Sequence, residues 1–198
     1  MKKITIVDYG SGNVLSAQKS FVKIAKDNNI EVDVLISKKL NDVKDSTHVV
    51  LPGQGAFSTC INSLKKTDGL IDELCEFALI KKKPFLGICV GMQMLANMSE
   101  ENGVHEGLGW IDGQIKLLPG DNLKLPHMGW NLAIPTNSKY KNLISNKNDY
   151  YFVHSYYFDC AQKDNILAET KYGTNFASIV GKENIYGVQF HPEKSSSQ

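Results

Sequence analysis

Four short runs of β-branched and apolar residues, at 3–7, 31–36, 48–51 and 84–88, punctuate the first half of the chain, each bounded by turn residues. Strands this continuously apolar must be covered on both faces. The intervals supply the cover. Segments 13–26, 56–66 and 70–82 have helical spacing, with Val14, Ala17, Phe21, Ile24 and Ala25 on one face of the first and Leu70, Ile71, Leu74, Phe77 and Ala78 on one face of the last. Such alternation predicts an α/β fold: an open, mostly parallel sheet flanked by helices. After residue 106 the pattern changes. Stretches 109–118, 123–134, 150–159, 166–170, 176–180 and 185–190 read as strands separated by Gly, Asn, Asp and Pro, so the C-terminal half is expected to add antiparallel strands and no helix. No repeat or linker divides the 198 residues, and 1–198 is read as one domain with a surface loop at 137–148.

Charge narrows the partners. The formal net charge is +1, without the basic excess that a nucleic acid requires. The whole basic total of 22 is lysine, so the chain has no arginine fork for clamping carboxylates or phosphates, and an anion site must use lysine, hydroxyls or backbone N–H groups. No apolar run reaches the roughly 18 to 20 residues of a membrane span, and Met1-Lys2-Lys3 leads directly into strand-like sequence. A cytoplasmic protein without a membrane partner is expected. Cys60, Cys75, Cys89 and Cys160 form no metal-binding spacing and no disulfide framework, so neither a metal nor a cofactor is expected.

One thiol stands apart. Gly87-Ile88-Cys89-Val90-Gly91 follows the apolar run 84–88 and precedes a helix-like run at 92–98. A nucleophile on a sharp strand-to-helix turn needs small residues two positions away on either side, because the folded-back backbone leaves no room for Cβ atoms. The turn would expose the sulfur at the carboxyl edge of the sheet and at a helix N-terminus, where thiolate is favoured, with the Val90 N–H facing an oxyanion. Near the end, Pro192 holds the preceding residue extended, so that His191 and Glu193 project to one side as a base and the group that orients it. A third segment, Pro52-Gly53-Gln54-Gly55, follows run 48–51 and in a parallel sheet emerges at the same edge. His48, His105, His127 and His154 are read as structural or surface residues, and the aromatics Tyr150, Tyr151, Phe152, Tyr156, Tyr157 and Phe158 as strand core.

Taken together, the elbow with Met92 and Gln93, the Pro52–Gly55 loop and the run Phe190-His191-Pro192-Glu193-Lys194-Ser195 resemble the class I, triad-type glutamine amidotransferases. Segments 7–13, 51–57, 126–131 and 154–157 resemble, in order, the glutaminase subunits of imidazole glycerol phosphate synthase within that family. The resemblance implies that Cys89 attacks the amide carbon of L-glutamine, that His191 protonates the departing ammonia, and that Glu193 orients His191. Water then hydrolyses the thioester. It further implies backbone contacts from Gly53, Gly55 and Val90, and contacts from Gln93, Ser155 and Tyr156 to the amino-acid end of the substrate. The implied partner is a cyclase subunit in a heterodimer, with Asn13, Trp130 and Lys194 as candidate interface residues. The family usually continues past this terminal run into a closing helix, whereas here it is followed by Ser196, Ser197 and Gln198, which bears on the packing beneath His191. The alternatives are the same module serving another synthase, an elbow-type cysteine hydrolase, and a binding subunit without catalysis.

Overall fold

The computed structural model describes residues 1–120, 123–140, 144 and 149–195. The first half alternates as expected: β1 (Lys2–Val7), α1 (Val14–Asp27), β2 (Val32–Ser37), α2 (Leu40–Lys44), β3 (His48–Gly53), α3 (Phe57–Lys65), α4 (Leu70–Cys75), β4 (Phe85–Cys89) and α5 (Val90–Gln93). There follow β5 (Met98–Ser99), β6 (His105–Glu106), β7 (Gly113–Leu117), β8 (His127–Leu132), β9 (Ile134–Pro135), β10 (Asp149–His154), β11 (Tyr156–Cys160), β12 (Ile166–Tyr172), β13 (Thr174–Lys182) and β14 (Ile185–Val188). Among the described residues an eight-stranded sheet has the order β2-β1-β3-β4-β14-β13-β12-β9. Its pairings from β2 to β14 are parallel and the rest antiparallel. Two smaller sheets, β10-β8 and β11-β7-β5-β6, flank it. The α/β architecture with antiparallel additions is the one expected, and none of the described helices is long and apolar enough to cross a membrane.

Register is what positions the site. Gly53 at the end of β3 pairs with Cys89 at the end of β4, and Val188 at the end of β14 pairs with Ile88. Three chain segments therefore leave the sheet at one carboxyl edge: 53–55, the elbow at Cys89, and 189–193. The strands beneath are held by buried Val49, Val50, Leu51, Phe85, Ile88 and Ile179. Each such side chain contributes roughly 1.5–3 kcal/mol when withdrawn from water.

Several expectations are corrected. β2 lies at the sheet edge and is only half-buried rather than covered on both faces. Ile24 is 58% exposed, because the buried face of α1 runs through Ala17 and Ala25 instead. The helical run 70–82 widens after α4 into a π-helical turn, Glu76–Ile80, where the Asn184 amide donates to the Ala78 carbonyl. The expected helix 92–98 stops after one turn. Leu108, Trp110, Gly109 and Gly107 donate to the carbonyls of Met94, Leu95, Ala96 and Asn97, which a longer helix would use itself, and Met98 joins β5. Stretch 150–159 breaks at Ser155 into β10 and β11, which enter different sheets. Of the surface loop expected at 137–148, positions 141–143 and 145–148 lie outside the described residues, as do 196–198.

The elbow's glycines are steric necessities. A Cβ on Gly91 would run into the Leu51 carbonyl oxygen of β3, and one on Gly87 would approach the Gly91 carbonyl oxygen to 2.5 Å. Gly91→Ala is therefore expected to destabilise the fold by about 3 kcal/mol or more, the upper range for overpacking. Gly10, at φ +84 with open space around the added carbon, sets the scale for backbone strain alone, and Gly10→Ala should cost only about 1–2 kcal/mol. Urea denaturation of the two variants checks the ordering; an equal or smaller loss at Gly91 would contradict the packing argument.

Candidate active site

Cys89 takes φ 55 and ψ −112, a positive-φ conformation outside the regions open to most side chains, adopted only when the surroundings enforce it. The enforcement comes from β4 on one side and from α5, packed against β3, on the other. The thiol opens onto a cavity of about 350 Å³ that is also lined by Gly55, Val90, Gln93, Ser155, Tyr156 and His191. Seven of the sequence-predicted residues thus face one space. Gly53 does not line it; an added Cβ there would meet the Gly91 nitrogen at 2.6 Å, so this glycine permits the close approach of loop and elbow.

Loop 53–55 is anchored from behind. The Tyr9 hydroxyl donates to the Pro52 carbonyl at 2.6 Å, and the Ser11 hydroxyl donates to the Gln54 carbonyl at 2.9 Å. The turn after β1 therefore fixes the loop that faces Cys89.

His191 is reached three residues after the end of β14. Its N–H donates to the Tyr151 carbonyl at 2.8 Å, and the Ser195 hydroxyl donates to its own carbonyl at 2.7 Å. Its Nδ1 lies 2.9 Å from Glu193 Oε1, with both side chains only 4% exposed. Burial by itself would push the His191 pKa below the ordinary 6.5; interaction with Cys89 and Glu193 reverses this and raises it to about 9. The imidazole is consequently held protonated near neutrality, next to the thiol. The expected contribution of a helix dipole is small, because α5 has a single turn.

The remaining thiols lie outside this cavity. Burial pushes up Cys60 and Cys75 and, with Asp159 nearby, takes Cys160 to about 12. Thiols held neutral in this way are poor nucleophiles. A larger cavity, about 420 Å³, lies on apolar walls that include Ile4, Phe85 and Ile179; among the described residues no thiol or carboxylate lines it.

Some members of the site were not singled out in the sequence. Gln189 Nε2 points at Cys89 Sγ at 3.8 Å, and its Oε1 accepts from Gln93 Nε2 at 3.0 Å. The alternation that puts 191 and 193 on one side extends back to 189, so a signal for it existed. Glu101 lines the cavity and accepts the Phe57 N–H at 2.7 Å, and His154 lines it from the end of β10. Glu101 has no local sequence signature, and His154, in the family-like segment 154–157, is read there as a structural or surface residue. Of the candidate interface residues, Trp130 is 54% exposed and stands edge-on to Tyr151 at 5.6 Å, and Lys194 Nζ sits over the same Tyr151 ring at 5.7 Å. Asn13 is half-buried at the start of α1.

The profile of the family described as "Glutamine amidotransferase class-I" matches residues 5–198. The imidazole glycerol phosphate synthase subunit HisH of Pelagibacter ubique is 47% identical over 195 residues, spanning 97% of this chain and 92% of that protein. The HisH subunit of Rhodospirillum rubrum is 42% identical over 199 residues, spanning 98% and 93%. Among solved structures, a glutamine amidotransferase from Thermotoga maritima superposes with a TM-score of 0.66 at 20% identity, over 97% of this chain and 76% of that one. Another glutamine amidotransferase gives 0.68 at 15% identity, over 96% and 90%; at these identities the likeness concerns the fold. The chain therefore belongs to the class I glutamine amidotransferases, in the family of HisH subunits of imidazole glycerol phosphate synthase.

Proposed function

We propose that the cavity hydrolyses L-glutamine to glutamate and ammonia through Cys89, His191 and Glu193. The observation that carries this reading is the buried His191–Glu193 pair beside a strained elbow cysteine, all at one edge of adjacent parallel strands. The Cys89–His191 pair reacts with the cysteine proton on His191: the Cys89 thiolate attacks the side-chain amide carbon, and a C–S bond forms as the carbonyl electron pair moves onto oxygen. Backbone N–H groups at Val90 and in loop 53–55 are the donors available to that oxyanion. Collapse expels the nitrogen as ammonia, with the proton supplied by the His191 imidazolium. The now neutral imidazole takes a proton from water as the water attacks the thioester; the C–S bond breaks, glutamate leaves after losing its carboxyl proton to solvent, and the thiolate–imidazolium pair is restored. Gln93, Ser155 and Tyr156 form the wall that receives the amino-acid end.

The product dictates the second half of the reading. Ammonia released near neutral pH becomes ammonium, which is not nucleophilic, so a glutaminase devoted to synthesis must discharge into a docked synthase. The relatives are named as synthase subunits. We assign this chain the same place: a cytoplasmic heterodimer with a cyclase that forms imidazole glycerol phosphate in histidine biosynthesis. Asn13, Trp130 and Lys194 are its candidate contacts; an exposed aromatic flanked by a cation is a common interface anchor.

Cys89→Ala is expected to lower glutamine turnover about 10⁴-fold or more, measured with the partner bound, while the fold persists. Glu193→Gln should be less damaging than His191→Ala, since an amide still accepts a hydrogen bond from the imidazole.

The raised His191 pKa sets a pH window. Its ionisation contributes stability that is full below about 6.5 and is lost as pH rises through about 9. Turnover is expected to decline above about pH 9 as the imidazolium loses its proton, and Glu193→Gln should move that limb downward. A pH profile unmoved by the substitution would remove Glu193 from this role.

Trp130→Ala or Lys194→Ala is expected to weaken complex formation or to raise the ratio of glutamate to synthase product, with Cys89 alkylation intact. Titration calorimetry and product ratios test this, and unchanged values in both variants would place the interface elsewhere.

A further inference from the structure

Two buried histidines that the proposed chemistry does not use adjoin the cavity, His154 in its wall and His127 behind it. His127 and His154 are directly opposed in the β8–β10 register and are 3% and 6% exposed. His127 is stacked between Phe152, at a centroid distance of 4.9 Å, and Tyr172, at 4.0 Å. Burial pushes His127 down to about 4 and His154 down to about 3, so both rings are neutral and each carries a single N–H.

Their partners then fix both tautomers. His154 Nδ1 lies 2.9 Å from the Tyr156 carbonyl, which can only accept, so Nδ1 carries the hydrogen. His154 Nε2 must therefore accept, and the His127 Nδ1–H donates to it at 3.0 Å. His127 Nε2 accepts in turn from Asn131 Nδ2 at 3.2 Å. The Asn131 amide is itself oriented, because Nδ2 also donates to the Lys171 carbonyl at 3.1 Å and Oδ1 accepts the Leu132 N–H at 2.9 Å. All donors in this chain point one way, toward Tyr156.

The Tyr156 carbonyl receives a second donor, Gln93 Nε2, at 3.1 Å, and the same nitrogen reaches Gln189 Oε1. The His154–Tyr156 bond also closes the corner at Ser155, where β10 ends and β11 begins. Ser155, Tyr156 and Gln93 all line the cavity that holds Cys89.

We propose that His154 and His127 are positioning residues of the glutaminase site, which act through the Tyr156 carbonyl to hold the corner at Ser155 and the Gln93 amide in the arrangement that receives the amino-acid end of the substrate. This rests on the glutaminase reading above. The pair touches neither the reacting carbon nor the His191–Glu193 bond, so its loss should be felt in substrate binding more than in the chemical step.

Steady-state kinetics with L-glutamine, on the full chain with its synthase partner, test the proposal together with iodoacetamide alkylation of Cys89 in the absence of substrate. His154→Phe keeps an aromatic ring but removes the donor; it is expected to raise KM about tenfold with kcat changed less than about threefold and alkylation little altered. His154→Asn, whose amide can donate from near the Nδ1 position, should recover most of the KM. His127→Phe keeps the stacking but removes the donor that sets the His154 tautomer, and should raise KM by a smaller factor. Melting curves establish that the variants fold; if His154→Phe does not, His127→Phe decides. An unchanged KM in the folded Phe variants, or no recovery in His154→Asn, would overturn the positioning role alone. Absence of glutamine turnover by the unmodified chain and partner would refute the glutaminase reading itself, and the positioning role with it.

Discussion

The side-by-side parallel pairing of β3, β4 and β14 is the constraint on which the site depends. Parallel register brings the ends of neighbouring strands to one level, so the loop after Gly53, the elbow at Cys89 and the segment leading to His191 meet without any long side chain having to reach. Holding a cysteine at positive φ costs on the order of 1–3 kcal/mol, and the buried strands beneath offset it. The elbow is tolerable because Gly87 and Gly91 let backbone meet backbone where any other residue would force strand and helix apart.

Environment then assigns the roles of chemically identical groups. Of the imidazoles with shifted ionisation, burial pushes His48, His127 and His154 down, while His191, as withdrawn from water as His127 and His154, is carried up by Cys89 and Glu193 beside it. Burial likewise holds the thiols of Cys60, Cys75 and Cys160 neutral. A buried neutral imidazole is an oriented hydrogen-bond relay and a buried charged one is a proton source. The chain places both kinds within one neighbourhood, His127 and His154 on paired β8 and β10 and His191 just after β14.

Much of this was legible in the sequence because it follows from short-range rules. The elbow declares itself by its glycines, the His191–Glu193 pair by extended-chain alternation, and the parallel half of the sheet by apolar runs set between helical ones. What escaped depends on distant partners. The helix after Cys89 ends early because the backbone of 107–110 claims its carbonyls, and nothing within 92–98 announces that. The break at Ser155 comes from two strands entering different sheets, although 150–159 has the uniform aromatic pattern of a single strand. His127 and His154 lie 27 positions apart and gain meaning only through the β8–β10 register.

The sheet order also has a consequence for synthesis of the chain. β14 is the last of the described strands, yet it occupies an interior position, inserted between β4 and β13. Until it arrives, the edge of β4 next to Cys89 is open and His191 is not yet in place. A chain that has not yet added β14 therefore presents an unpaired, apolar strand edge of the kind that chaperones shield. Insertion of one strand fills the place between β4 and β13 and brings His191 to the elbow in the same event.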